Sequence, residues 1–120
     1  MLARITRSLF TAAVMALAGW VAAPAASASQ DESQVKRGEE VYTAQKCSVC
    51  HSIAGKGNKK APLDGVGAKL TADEIKQWIV DPKGMTAKTK STAKPPMPDK
   101  YSKLPAADID AMVAYLASLK

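Results

Sequence analysis

This chain of 120 residues has few of the residues that build metal sites and large apolar cores. It contains two cysteines, one histidine, one phenylalanine, two tryptophans and three tyrosines. A structural zinc site needs four ligands and a catalytic one needs three. The three strong ligands here stand too close together in the chain to surround a metal ion alone. The small aromatic content and the short chain predict a single domain with a marginal polypeptide core.

The two cysteines and the histidine all lie in one stretch, Cys47-Ser48-Val49-Cys50-His51. This is the C-x-x-C-H spacing at which c-type haem is attached. Positions three and four apart share one side of a helical turn, so both thiols and the imidazole can address one planar group. The pattern therefore predicts thioethers from Cys47 and Cys50 to one covalent haem c, with His51 as the proximal axial ligand of its iron.

Other readings of the two cysteines are a redox dithiol, a zinc half-site and a short disulfide. A dithiol oxidoreductase needs a βαβ setting, whereas the flanking sequence has helical periodicity. A disulfide leaves the adjacent His51 unexplained. The dithiol protein remains an alternative, which the absence of a covalent haem mass would favour.

The first 28 residues have the features of a secretory signal. Arg4 and Arg7 precede an apolar run over residues 9–23, and Ala26-Ser27-Ala28 fits the small-residue cleavage rule. The run is short for a membrane-spanning helix, which needs roughly 20 apolar residues. We expect residues 1–28 to be removed and residues 29–120 to form the mature domain in the periplasm, with no stable membrane insertion. An uncleaved anchor is the alternative.

Helical periodicity and end signals predict three helices. The first runs from about Ser33, its cap, to Ala44, and the third from about Pro105 to Leu119. The second runs from about Ala72 to Val80 after a Thr71–Glu74 capping box. No segment alternates like a strand, so the class is all-α. Residues 52–69 and 83–104 are predicted to be loops.

The two loops supply the remaining candidates for the haem site. We expect a backbone carbonyl of the first loop, that of Pro62, to accept the hydrogen of the other His51 nitrogen. The single histidine excludes two histidine ligands from one chain. Met97, between Pro96 and Pro98, is the favoured distal axial ligand because proline fixes the backbone direction. Met85 is the alternative, and Met112 lies on the apolar face of the third helix.

The formal net charge is +6. Six lysines flank the second loop's proline-rich segment and could steer an acidic redox partner. They are Lys83, Lys88, Lys90, Lys94, Lys100 and Lys103. No nucleic-acid-binding module is present, so nucleic acid is not an expected partner.

Over nearly all of residues 29–120 the chain resembles a class I cytochrome c of the small bacterial type. The resemblance is carried by the C-S-V-C-H motif, by Gly38 with Tyr42, by the sequence from Met97 to Leu104, and by residues 112–116. It implies an all-α cytochrome c fold of three main helices wrapped around one haem. It also implies that Gly38 and Tyr42 pack against Met112 and Tyr115 where the first and last helices cross.

Ligation by His51 and Met97 leaves no vacant iron position, which disfavours gas binding and substrate oxidation. We therefore expect an electron carrier with no catalytic activity of its own, which exchanges one electron with donor and acceptor proteins at an exposed haem edge. The alternative is the haem c subunit of a larger periplasmic oxidoreductase complex. A haem enzyme or gas sensor with a labile Met97 is a third reading.

Overall fold

The computed structural model describes residues 25–120, with side chains described from residue 31 onward. This part of the chain contains one small antiparallel strand pair, β1 (Ser52–Ile53) and β2 (Lys56–Gly57), and two short 3-10 turns, Cys47–Val49 and Asp99–Lys103. Its α-helices are α1 (Ala25–Ala44), α2 (Val66–Lys69), α3 (Ala72–Val80), α4 (Pro82–Thr89) and α5 (Ala106–Ser118). The predicted all-α class is confirmed. Most of the predicted secretory signal lies outside the described residues.

Helix α3 has the predicted bounds, because its start is encoded locally. The Thr71 hydroxyl accepts a hydrogen bond from the backbone N–H of Glu74 at 3.2 Å, and the Thr71 N–H donates to the Glu74 carboxylate at 2.8 Å. These two bonds satisfy N–H groups that a helix start otherwise leaves without partners. Ile75 and Ile79 then point into the core.

The structure differs from the predicted secondary structure at the start of α1, at both ends of α5 and in the first predicted loop. Helix α1 begins at Ala25, so Ser33 lies inside it and does not cap it. Alanine-rich sequence supports helix well, and nothing in residues 25–32 stops one. Pro105 is the cap of α5 and not its first residue, and this helix ends at Ser118. The predicted loop over residues 52–69 contains the strand pair and α2.

The second predicted loop is wrong in its first half, where α4 runs from Pro82 to Thr89. The Asp81 carboxylate caps this helix by accepting from the Gly84 N–H at 3.0 Å, and Pro82 occupies the first turn, where its missing N–H costs nothing. The Asp81-Pro82 pair therefore ends one helix and starts the next. The lysine-rich sequence of α4 has no apolar period that would have revealed it.

Helices α1 and α5 form the most extensive contact between elements. A Cβ atom on Gly38 would collide with the carbonyl oxygen of Ala111 and lie 2.6 Å from Cβ of Tyr115. The rings of Tyr42 and Tyr115 meet edge to face, with centroids 5.8 Å apart. The predicted crossing is thus present, with Gly38 against Ala111 and Tyr115, and with Met112 in the same buried cluster as Tyr42.

The helices of the described residues were compared with the length and apolar content of a membrane-spanning helix. Between residues 25 and 120, none of the helices combines the length and the apolar content that spanning a bilayer requires.

Replacing Gly38 with alanine should destabilise the fold. The added methyl meets a backbone carbonyl that cannot rotate away, so the two helices must separate. We expect the free energy of unfolding to fall by about 1–3 kcal/mol, despite the higher helix propensity of alanine. Urea unfolding followed by far-ultraviolet circular dichroism measures this change. Lys36→Ala, on the exposed side of the same helix, is the control and should change stability by less than about 0.5 kcal/mol. A Gly38→Ala variant as stable as the parent protein would contradict the close contact between α1 and α5.

Candidate functional site

The cysteine-histidine motif forms a tight turn at the end of α1. Lys46 has a left-handed backbone conformation, with φ of 56°, which turns the chain out of the helix. The N–H groups of Cys50 and His51 then both donate to the carbonyl of Cys47, at 3.1 and 2.9 Å. Both cysteines and the histidine therefore lie on one helical turn, as the spacing predicted.

The two thiols are free and differ in their surroundings. Cys47 is half-buried and packs against the hydrophobic core, whereas Cys50 is exposed. Burial raises the pKa of the Cys47 thiol to about 11, because a thiolate loses its hydration in the apolar surroundings. One attachment point thus lies at the edge of the core and the other at the surface.

The orientation of His51 is fixed by a backbone carbonyl. Its Nδ1 lies 3.0 Å from the carbonyl oxygen of Ala61. A carbonyl can only accept, so Nδ1 carries the proton and Nε2 keeps a lone pair that can bind a metal. The half-buried imidazole is thereby held in the tautomer that an axial ligand needs.

The predicted carbonyl partner, that of Pro62, is wrong by one residue. Ser52 forms a parallel bridge with Pro62, in which the Ser52 N–H donates to the Ala61 carbonyl and the Leu63 N–H donates to the Ser52 carbonyl. Successive residues of an extended segment face opposite sides. This register aims the carbonyl of Ala61 at His51, and it is a long-range pairing that the local sequence does not encode.

A second support of the turn was not predicted. The Asn58 N–H donates to the carbonyls of Ser48 and His51, both at 3.0 Å, and its side-chain amide donates to the carbonyl of Val49 at 3.1 Å. Gly57 has φ of 105° and lies against the carbonyl of His51, where a Cβ would collide. Gly57 of β2 and Asn58 thus hold the backbone of the motif in place through contacts with its carbonyl groups. The Gly57-Asn58 pair, typical of turns, was the available signal.

Met97 and Met85 occupy different positions relative to α4. Met97 is half-buried, packs against the core, and lines an open cavity of about 380 Å³ together with Lys83, Thr86 and Ala87 of α4. Met85 is only 6% exposed and is not among the lining residues. At 100° per residue, it faces away from the side of α4 that borders the cavity.

A second open cavity, of about 350 Å³, borders the motif itself. Its lining includes Val49, Cys50 and Tyr101, and it shares Pro98 with the first cavity. Pro98 therefore lies between the cavity that Met97 lines and the cavity that Cys50 lines. The structure brings the segment of Met97 and Pro98 next to the C-x-x-C-H turn, while the buried Met112 stays in the core.

The donor set fits an iron porphyrin better than a bare metal ion. Among residues 31–120, no group of three or more His, Cys, Asp or Glu side chains converges on a point. A porphyrin brings four nitrogen ligands of its own, so the protein has to supply only axial ligands and attachment points. His51 and the two thiols meet that need, and Met97 offers a neutral thioether nearby.

Comparison with known families supports the same cofactor. The cytochrome c family model matches residues 35–120, which include the motif, the Met97 segment and both crossing helices. No match to the chain was found among curated proteins or among solved structures. Members of this family carry covalently attached haem c with its iron, and Cys47 and Cys50 stand at the positions of the attachment motif. The chain belongs to the cytochrome c family as a class I cytochrome c.

Proposed function

We propose that the protein is a periplasmic electron carrier that holds a single haem c. Cys47 and Cys50 attach the haem, and His51 and Met97 are the axial ligands of its iron. The observation that carries the proposal is the hydrogen bond between His51 Nδ1 and the Ala61 carbonyl, at 3.0 Å. This bond has no evident use in a dithiol oxidoreductase, whereas it is the usual orienting contact of a metal-bound imidazole.

The ligand pair suits electron transfer without bond chemistry. The bound haem supplies the redox-active iron, and the chain supplies attachment, ligation and a dry environment. The hydrogen bond to Ala61 makes the imidazole a better donor, and a neutral thioether favours the reduced iron. With both axial positions filled by the chain, no position is left for a substrate, so we expect no catalytic activity of its own.

The position of Met97 supports its role over Met85. Met97 lies on a loop between two prolines and borders open space, whereas Met85 is enclosed on the other side of α4. Met85 could reach the open side only if α4 rotated or unfolded. The Asp81 carboxylate, which accepts from the Gly84 N–H at 3.0 Å, opposes unfolding of the first turn of α4.

Charge near the motif supports an acidic redox partner. Val49 is 66% exposed, and Lys46 and Lys100 line the same depression. The hydrogen-bonded segment of Asn58 brings three further lysines close to the turn, and residues 46–63 contain no Asp or Glu. We call this set the motif lysines: Lys46, Lys56, Lys59, Lys60 and Lys100. Their positive charges lie on the motif or on segments that contact it, and they can steer brief docking of an acidic partner.

The surface near Met97 carries lysines too, but one of them is paired with a carboxylate. Lys83 pairs with the carboxylate of Asp99 at 3.2 Å, and this contact lowers the pKa of Asp99. The positive charge of Lys83 is therefore partly neutralised. The motif lysines are the better candidate for the first contact with a partner.

A permanent place in a larger oxidoreductase complex is less well supported. Obligate interfaces bury large, hydrophobic surfaces. Among residues 31–120, Val49 is the one large hydrophobic side chain that is exposed. A single apolar residue among lysines fits a small, transient interface.

The first test of the proposal is the exported protein itself. We expect an intact mass equal to residues 29–120 plus one haem, and a pyridine haemochrome spectrum typical of two thioethers. Export of a colourless chain would overturn the proposal. The Cys47→Ala, Cys50→Ala double variant should lack haem and be largely unfolded by circular dichroism, because binding to the folded state stabilises it.

Loss of the Met97 thioether should remove the weak absorption band near the red end of the ferric spectrum. That band reports the bond between iron and thioether sulfur. Met97→Ala should lose it, and the reduced variant should then bind carbon monoxide rapidly. Met85→Leu is the matched control and should keep the band. The opposite result, with the band lost only in Met85→Leu, would reassign the ligand.

Neutralising the motif lysines should slow electron transfer to an acidic partner at low ionic strength. The triple variant Lys56→Gln, Lys59→Gln, Lys60→Gln should lower the bimolecular rate constant of electron transfer about tenfold. The difference between this variant and the parent protein should shrink above 0.1 M salt. Changing Lys88, Lys90 and Lys94 to Gln removes the same charge elsewhere and should have a smaller effect. A larger effect of this second set would place docking around the Met97 loop.

A further inference from the structure

Asn58 is a half-buried residue on which carbonyl groups of the C-x-x-C-H turn converge. Its backbone N–H donates to the carbonyls of Ser48 and His51, both at 3.0 Å, and its side-chain amide donates to the carbonyl of Val49 at 3.1 Å. Backbone carbonyls at the end of a helical turn lack partners inside that turn. Asn58 supplies these partners from a segment that lies outside the motif.

The side-chain amide of Asn58 is fixed at both of its polar atoms. Its Oδ1 accepts from the backbone N–H of Lys60 at 3.0 Å, while its Nδ2 donates to the Val49 carbonyl. A bond from an Asn side chain to the backbone two residues on closes an Asx turn. Aspartate would set a second acceptor oxygen against the Val49 carbonyl, and serine has one polar atom in place of two. The position therefore uses both the donor and the acceptor of an amide.

The Asx turn also sets the position of the carbonyl that orients the imidazole. It folds the chain directly before Ala61, whose carbonyl oxygen lies 3.0 Å from Nδ1 of His51. Gly57 lets the segment approach closely, because a Cβ at that position would collide with the His51 carbonyl. Residues 58–61 therefore hold both the backbone of His51, through the Asn58 N–H, and its ring, through the Ala61 carbonyl.

We propose that Asn58 is a positioning residue for the proximal haem ligand. It holds the backbone of His51 and, through the turn to Lys60, the Ala61 carbonyl that accepts from Nδ1. A firm hydrogen bond at Nδ1 makes the imidazole a stronger electron donor, which favours the oxidised iron. Loosening of residues 58–61 weakens this bond and shifts the redox equilibrium toward the reduced form. The inference rests on the proposed function, because it takes His51 to be the axial ligand.

The test is Asn58→Ala in the haem-loaded protein. In the reduced form, NMR measures how fast the His51 Nδ1 proton exchanges with solvent. We expect this exchange to be about tenfold faster than in the parent protein, because the side-chain bonds that hold the segment are lost. The redox equilibrium should shift about two- to fivefold toward the reduced form.

Asn58→Ser is the milder variant. Its hydroxyl can still accept from the Lys60 N–H, whereas the bond to the Val49 carbonyl is lost. We expect exchange of the His51 Nδ1 proton to be about threefold faster than in the parent protein. This variant decides the assignment if Asn58→Ala yields no folded haem protein.

Thr71→Ala is the matched control for a general loss of stability. It removes the N-cap of α3, which makes no contact with the motif through its capping bonds, and should lower the folding equilibrium constant about fivefold. If lower stability alone were enough to free the imidazole, this variant would exchange as fast as Asn58→Ala. We expect it instead to keep the Nδ1 exchange rate and the redox equilibrium of the parent protein.

Two outcomes overturn the inference while leaving the carrier function intact. The first is an Nδ1 exchange rate equal to that of the parent protein in the Asn58 variants. The second is the same acceleration of exchange in Thr71→Ala as in the Asn58 variants, which would limit Asn58 to a contribution to overall stability. Failure of the proposed function looks different, since the exported chain would then carry no covalent haem.

Discussion

The close approach of α1 and α5 at Gly38 is the constraint on which the site depends. The glycine lets the backbone of α1 lie directly against the Ala111 carbonyl of α5. A second close contact anchors α2 to the other end of α5, where Gly67 lies against Ala117 and its N–H donates to the Leu119 carbonyl at 2.8 Å. Helix α5 is thus a scaffold on which the elements before and after the motif are both fixed. The C-x-x-C-H turn lies between these two anchored elements.

This arrangement makes the haem part of the core. The polypeptide is short, has few aromatic residues, and leaves Cys47, Met97 and Leu104 only partly buried at the edge of its main cluster. These are the side chains that an apolar, planar cofactor would cover. Covering them adds apolar burial that a domain of this size otherwise lacks. Haem attachment and folding are therefore coupled through the same part of the core, and a change at the helix crossing should reach the haem.

The sequence predicts those features of the structure that depend on a few neighbouring residues. The attachment motif, the capping box of α3 and the glycine at the helix crossing are read from local spacing and residue type. The partner of His51 could not be read in this way, because the bridge between Ser52 and Pro62 sets which carbonyl faces the ring. Helix α4 could not be predicted in the same way, because Asp81 both ends α3 and caps the start of α4. The hydroxyl of Tyr42 is buried and has no hydrogen-bond partner among residues 31–120. This is a result of packing, which no pattern in the sequence displays.

The segment around Met97 shows how a stretch without helical periodicity can hold one side chain in place. The ion pair between Lys83 and Asp99 links the loop to α4, but both side chains are largely exposed, so solvent and salt screen it. The stronger anchor is Tyr101, which is buried in the core from within the 3-10 turn Asp99–Lys103. This turn begins two residues after Met97, and the prolines on either side of the methionine limit the backbone between the two anchors. Met97 is thus placed by a buried ring and by the stiffness of the two prolines beside it.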